Sequence, residues 1–273
     1  MKTFKLFSMA ALALAMAACS NEDSALENAA PAQQQGAMKF TATLAAPGSG
    51  ATTRTTYTEI TSGDDAGKIN VAWKAGDEIY LLDDESGAEC TATVGTPAAD
   101  GSAAISGTIT GSNGDNVSAV YPASVITDFD AFFAKYNAQE GTLDYIQNNL
   151  DLRMGEGTLS VNGDVATLAD NLEMQSMIAI WKLTLQNSSS EALAATKVTV
   201  YLDGGDIAST TDISGTSTVY LALPLLGDGD GIFSDIPLII MATVGSDTYT
   251  YSKSGVTLAR GKYYQSTVKM AAP

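Results

Sequence analysis

Thr158-Leu-Ser-Val-Asn-Gly-Asp-Val-Ala-Thr-Leu168 decides the fold class. Asn162-Gly163 suits a two-residue type I′ turn, and Leu159, Val161, Val165 and Leu168 supply apolar alternation on either side. This is a β-hairpin, and the same period-two signal recurs outward from it in both directions. Upstream it runs through Phe40, Ala42 and Leu44, then Ile69, Val71 and Trp73, then Ile79 and Leu81, then Cys90, Ala92 and Val94, then Ala103, Ile105 and Ile109. Each run is bounded by Gly, Asp, Asn or Pro, as half-buried strands are. Downstream, Met177, Ala179, Trp181, Leu183 and Leu185 face one way, and Val198, Val200 and Leu202 precede a DGGD turn. STVYLALP, PLIIMATVG, DTYTYSK and YYQSTVKM add further strands.

One helix is expected where Phe129, Phe132, Phe133 and Tyr136 follow i, i+3, i+4, i+7 spacing, capped by Thr127 or Asp128, with the aromatic stripe in the core. Short strands, few helices and Gly/Asp-rich turns predict an all-β chain with minor α content, built as two β-sandwich domains. The expected units are residues 38–170, beginning with a strand at 39–45, and residues 171–273, meeting near 168–174.

The chain has 273 residues, 31 acidic against 14 basic, and a net charge of −17. Such a body repels phosphate backbones, so nucleic acid is not an expected partner. Histidine is absent, which removes the usual general base near neutral pH, the Ser-His-Asp and Cys-His arrangements and the commonest metal ligand. No catalytic residue is assigned, and no enzyme activity, cofactor or metal is expected. Cys90 lies in an alternating strand and reads as a buried thiol.

The amino end carries Met1, Lys2 and Lys5, an apolar run from Met9 to Met16, and Ala17-Ala18 before Cys19. Residues 1–18 therefore read as a signal peptide, the run being far shorter than the roughly 20 residues of a spanning helix. The MAAC box resembles that of bacterial lipoproteins, which implies acylation of Cys19, membrane attachment through the lipid, and about 0.8 kcal/mol per buried methylene. The other reading is a plain secreted protein. The following SNED, with Glu22 and Asp23, is similar to the export signal of Bacteroidetes surface lipoproteins. Residues 19–37, rich in Ala, Gln, Asn and Glu without apolar periodicity, read as a flexible tether.

Taken together, Cys19, KFTATLA, TTRTTY, VAWKAGDEIYLL, YPAS, QSMIAIWKLTL and LARGKYYQSTVKM resemble, in order and spacing, the fimbrillin family of Bacteroidales, subunits of pili built from surface lipoproteins. The resemblance implies two tandem transthyretin-like β-sandwich domains. It also implies an outer-membrane lipoprotein that passes into the fimbrium, with other pilus subunits as partners and a host or bacterial surface as adhesion target. In related pilins a trypsin-like protease cuts after an arginine in the loop following the first strand. Arg54 is the sole basic residue between Phe40 and Gly67 and lies in the polar stretch PGSGATTRTTYT, which makes Arg54-Thr55 the expected cut. An ordinary solvated arginine is the other reading.

Losing the strand at 39–45 would leave a groove that had held Phe40, Ala42 and Leu44, together with unpaired backbone groups, and β-strand addition from another subunit would fill it. That strand is expected at an edge. After YYQSTVKM come Ala271, Ala272 and Pro273, so a tip or minor subunit that accepts a strand is favoured; if YYQSTVKM is itself donated, a stalk role returns.

Three further features have competing readings. Asp228, Asp230 and Asp235 in LLGDGDGIFSD resemble a calcium loop but lack the third ligand and the terminal Glu of an EF-hand, so a polar hairpin loop is expected. Trp73 and Trp181 could stack on sugars but continue apolar faces, and are expected in cores. The alternative function is a non-polymerising surface lipoprotein that binds glycans; a surface enzyme comes third.

Overall fold

A computed structural model of the protein describes residues 36–46, 57–60, 68–70, 73–227 and 229–273. The expectations for Cys19, Glu22, Asp23, Arg54, Thr55, Val71 and Asp228 fall outside the described residues. The described chain is mostly β.

Its first half contains β1 (Met38–Leu44), β2 (Thr58–Glu59), β3 (Ile69–Asn70), β4 (Glu78–Asp83), β5 (Glu89–Val94), β6 (Ala103–Ile109) and β7 (Asn116–Tyr121). Three short helices follow, α1 (Ser124–Thr127), α2 (Phe129–Ala134) and α3 (Leu143–Asn149), with a 3-10 turn at Lys135–Asn137. Then come β8 (Arg153–Asn162), β9 (Val165–Leu168) and β10 (Gln175–Ser176). The second half contains β11 (Ile178–Gln186), β12 (Lys197–Leu202), β13 (Gly205–Ser209), β14 (Thr218–Pro224), β15 (Ile232–Val244), β16 (Asp247–Ala259) and β17 (Tyr263–Lys269).

In the first half the sheet order is β10-β8-β7-β4-β5-β6-β1-β9, and β9 pairs again with β8, so seven strands close on themselves. The ring encloses Phe40, Leu44, Trp73, Ile79, Leu81, Ile105, Ile109 and Leu159. Strand alternation predicts the inward residues but is the same for a closed sheet and for two facing ones.

In the second half a three-stranded sheet, β14-β11-β17, faces a four-stranded one, β13-β12-β15-β16. Trp181, Leu183, Leu221 and Val268 from the first meet Val198, Val200, Leu238 and Ile240 from the second in one core. β17 lies parallel to β11, from Ile180↔Tyr263 to Gln186↔Lys269. The opposite face of β11, Ile178 and Ile180, packs with Val125, Phe132, Tyr136 and Ile146, so β11 is covered on both sides. Met177 joins this second layer rather than the core that holds Ala179 and Trp181.

Two local expectations are corrected. The hairpin of β8 and β9 pairs Asn162 with Val165, so its loop is Gly163-Asp164, one residue later than expected. Only Gly163, at the first central position, has a positive φ, 63°, as in a type II′ turn rather than I′. A one-residue slip exchanges the faces of a strand, and Val165 is accordingly exposed while Ala166 is buried. The aromatic stripe is also divided. Asp128 caps α2 by accepting from the Ala131 N–H at 2.9 Å, and Phe132 and Tyr136 are buried, but Phe129 is 56% exposed and lies tilted against Phe133, with centroids 4.4 Å apart. α1 and α3 were not foreseen, although Thr142 caps α3 through the Tyr145 N–H at 3.1 Å.

Candidate functional site

β1 alternates as MKFTATL predicts, with Met38, Phe40 and Leu44 inward and buried, and Ala42 partly buried against the same core. It runs antiparallel to β6 over its full length, Met38↔Ile109 to Leu44↔Ala103, with Phe40 opposite Gly107. A side chain at Gly107 would come within 2.7 Å of the Thr91 carbonyl, so the close approach of β5 and β6 beneath Phe40 requires glycine there.

The other flank of β1 is paired as well, which corrects the expectation of an edge strand. Lys39 and Phe40 lie beside Val165 and Ala166 of β9 in parallel register. The Lys39 N–H donates to the Asp164 carbonyl at 3.0 Å, the Leu172 N–H to the Thr43 carbonyl at 2.8 Å, and the Ala45 N–H to the Leu172 carbonyl at 2.9 Å. Trp73 Nε1 donates to the Ala45 carbonyl at 3.2 Å, beyond the end of β1. Between the β9 and Leu172 contacts an open groove of about 1000 Å³, lined by Thr41, Thr43, Glu156, Asp170 and Glu173 among others, borders the middle of the strand.

Removing β1 would open β6 on one side and β9 with Leu172 on the other. Water can satisfy an exposed strand edge, so lost main-chain bonds carry a modest net cost, about 0.5–1.5 kcal/mol each. Burial of Met38, Phe40 and Leu44 is worth roughly 1.5–3 kcal/mol apiece, so the emptied apolar slot and the opened edges contribute comparably to the cost.

Chain that resumes at Tyr57 is fixed in place by different contacts. The Tyr57 N–H donates to Gln147 Oε1 at 2.7 Å, and its ring is buried in the layer formed by α2, α3 and β11. Burial, then the nearby Asp151 carboxylate, pushes the Tyr57 hydroxyl far above its ordinary range. Asp151 is itself paired with Arg153, whose Nη2 and Nε donate to Oδ1 and Oδ2 at 2.8 and 3.2 Å in a fully buried fork. The Arg153 guanidinium lies 5.7 Å from the centre of the Trp73 ring.

Two residues on, Glu59 accepts from Lys182 Nζ at 2.8 and 2.9 Å, from Tyr220 Oη at 2.8 Å and from Tyr263 Oη at 3.0 Å. Burial opposes its ionisation, but hydrogen bonds from Lys182, Tyr220 and Tyr263 outweigh it and hold the carboxyl below its usual value. Ile60 continues the clamp through its N–H to the Lys68 carbonyl at 2.8 Å. Segment 47–56, which carries Arg54-Thr55, thus connects a strand in the ring to a stretch secured against the second half.

The remaining expected sites resolve as packing. Trp73 is buried edge-on against Tyr121, with centroids 5.7 Å apart, and Trp181 is buried in the second core, so neither presents a face to a sugar. The Asp230 carboxylate accepts from the Ile232 N–H at 3.0 Å as a turn residue, and Asp235 adopts a φ of 58° within β15. Cys90 is half-buried on β5, and burial pushes its thiol up to about 11. No described helix is long and apolar enough to cross a membrane. Tyr57 and Glu59 were not foreseen, because their partners lie far away in sequence: 90 residues from Tyr57 to Gln147, 123 from Glu59 to Lys182 and 204 to Tyr263. Asp151 and Arg153, only two residues apart, were not foreseen either, since nothing local marks the pair as buried.

No protein-family model and no curated protein matches the chain. Solved structures similar to it include Bacteroidales fimbrial proteins. A fimbrial protein from Bacteroides ovatus is 14% identical with a TM-score of 0.39, the match covering 85% of this chain and 48% of that one, so the chain spans under half its length. A fimbrial assembly protein from Parabacteroides distasonis is 13% identical, TM-score 0.39, covering 86% and 91%. The tip fimbrial protein Mfa3 from Porphyromonas gingivalis, with C-terminal truncation, is 9% identical, TM-score 0.41, covering 86% and 95%.

Proposed function

We propose that the chain is a fimbrillin-like pilus subunit, exported as a lipoprotein through Cys19, cut after Arg54, and assembled by β-strand exchange for adhesion. The observation that carries this reading is the situation of β1. Its apolar residues fill the ring and its backbone is bonded on both sides, yet one Arg-bearing connection joins it to a chain secured independently at Tyr57 and Glu59. A cut in that connection leaves β1 held by non-covalent contacts alone, while the chain from Tyr57 onward keeps its own contacts.

A strand from a second subunit with apolar residues at alternate positions then replaces Met38, Phe40 and Leu44 and restores the main-chain bonds to β6. The energy comes from burial and hydrogen bonding, so assembly needs no nucleotide. A tip or minor position fits the use of β17 within the chain's own sheet, where Val268 and the following Met270 are buried in the second core.

The test is Arg54→Ala in the native host. Retention of residues 19–54 on a lipid-anchored monomer is the expected result. Assembly of the variant at the wild-type level contradicts the mechanism.

A further inference from the structure

At the end of the ring formed by the β4–β5 turn and the β6–β7 loop, one carboxylate oxygen each of Asp83, Glu85 and Asp115 lies within 4.8 Å of the others. Asp83 is 0% exposed. Its Oδ1 accepts from the Glu85 and Ser86 N–H groups at 2.9 and 2.8 Å, while Oδ2 has no hydrogen-bond partner. That oxygen is directed at the loop carrying Asp115, close enough to Gly111 that a side chain there would overlap it at 2.3 Å. A buried carboxylate oxygen without a donor costs free energy unless a counter-charge meets it.

The other two carboxylates are oriented by donors of their own. Glu85 accepts from Asn116 through the backbone N–H at 2.8 Å and Nδ2 at 3.0 Å, and Asp115 Oδ2 accepts from the Ser112 N–H at 2.6 Å. Each retains unused lone pairs.

We propose that Asp83, Glu85 and Asp115 form a calcium-class divalent-cation site that ties the β4–β5 turn to the β6–β7 loop. Three hard oxygen donors with no nitrogen or sulfur among them suit Ca²⁺, and the graded exposure from buried Asp83 to exposed Glu85 leaves one side open for water to complete the six to eight ligands. An affinity of order 10⁻⁴–10⁻³ M, typical of extracellular modules, is sufficient there. The site lies away from Arg54 and β1 in sequence and stands whether or not the chain polymerises.

The test is thermal unfolding of the full chain, stripped with chelator and titrated with Ca²⁺ at constant ionic strength. A saturable rise in Tm is expected, with the apparent affinity at least tenfold weaker in Glu85→Gln and in Asp115→Asn. Both substitutions lie outside the fully buried position, which preserves folding. An identical Ca²⁺ response in wild type and both variants would show general screening of an acidic surface and overturn the proposal. So would the absence of any Ca²⁺ response in the wild type.

Discussion

Lys182 Nζ lies 2.8 Å from Glu59 Oε1 and 2.9 Å from Oε2, and this ion pair fastens the β2–β3 ribbon to β11 of the second half. Because the folded state lowers the Glu59 carboxyl, the stabilisation is present above the unfolded value near 4.3 and disappears as pH falls through the folded one. The Lys182 ammonium is raised chiefly by its bond to Glu59, so its share persists to about pH 10.4 and is lost above that. Glu59→Gln is expected to cost about 1–3 kcal/mol at pH 7 and less at pH 3. Denaturant titrations of both proteins at the two pH values check this.

Burial rather than position along the strand should rank substitutions in β1. Phe40→Ala should cost about 3–5 kcal/mol and Leu44→Ala about 2–5 kcal/mol, both side chains being 0% exposed. Thr43, exposed on the same strand, should tolerate Ala within about 0.5 kcal/mol. Equilibrium unfolding measures all three.

Cys90 should behave as an inert thiol. With its thiol raised to about 11 and the side chain half-buried, alkylation at pH 7.5 should be at least tenfold slower than for an exposed cysteine and should reach the exposed rate in denaturant. Timed iodoacetamide labelling followed by mass spectrometry reads both rates.

Strands were legible wherever one face meets a core, since alternation in MKFTATL or IAIWKLTL follows directly from the pleat. The turn at Gly163 was legible by composition but misplaced by one residue. Hydropathy favours Val165 inside, whereas the parallel register places Ala166 opposite Phe40 with both buried and leaves Val165 exposed. The closed ring was not legible, because it is completed by the parallel pairing of β9 with β1, two strands far apart in sequence, while the β8–β9 hairpin alone does not imply closure. Phe129 shows the same limit: helical spacing gives a face, and the first turn of that face extends past the core into solvent. The candidate site was half legible. Phe40 and Leu44 stood out, but Glu59 and the Asp83–Asp115 pairing have no local signature, since their partners are supplied by tertiary structure.

In the proposed assembly β1 is removed and its place taken by a strand of another subunit. The most direct test is the intact mass and amino-terminal sequence of the chain recovered from heat-resistant fibres on the cell surface. Chains beginning at Thr55 are the predicted result. Fibres built from chains that still begin at an acylated Cys19 and retain Phe40 and Leu44 would contradict it.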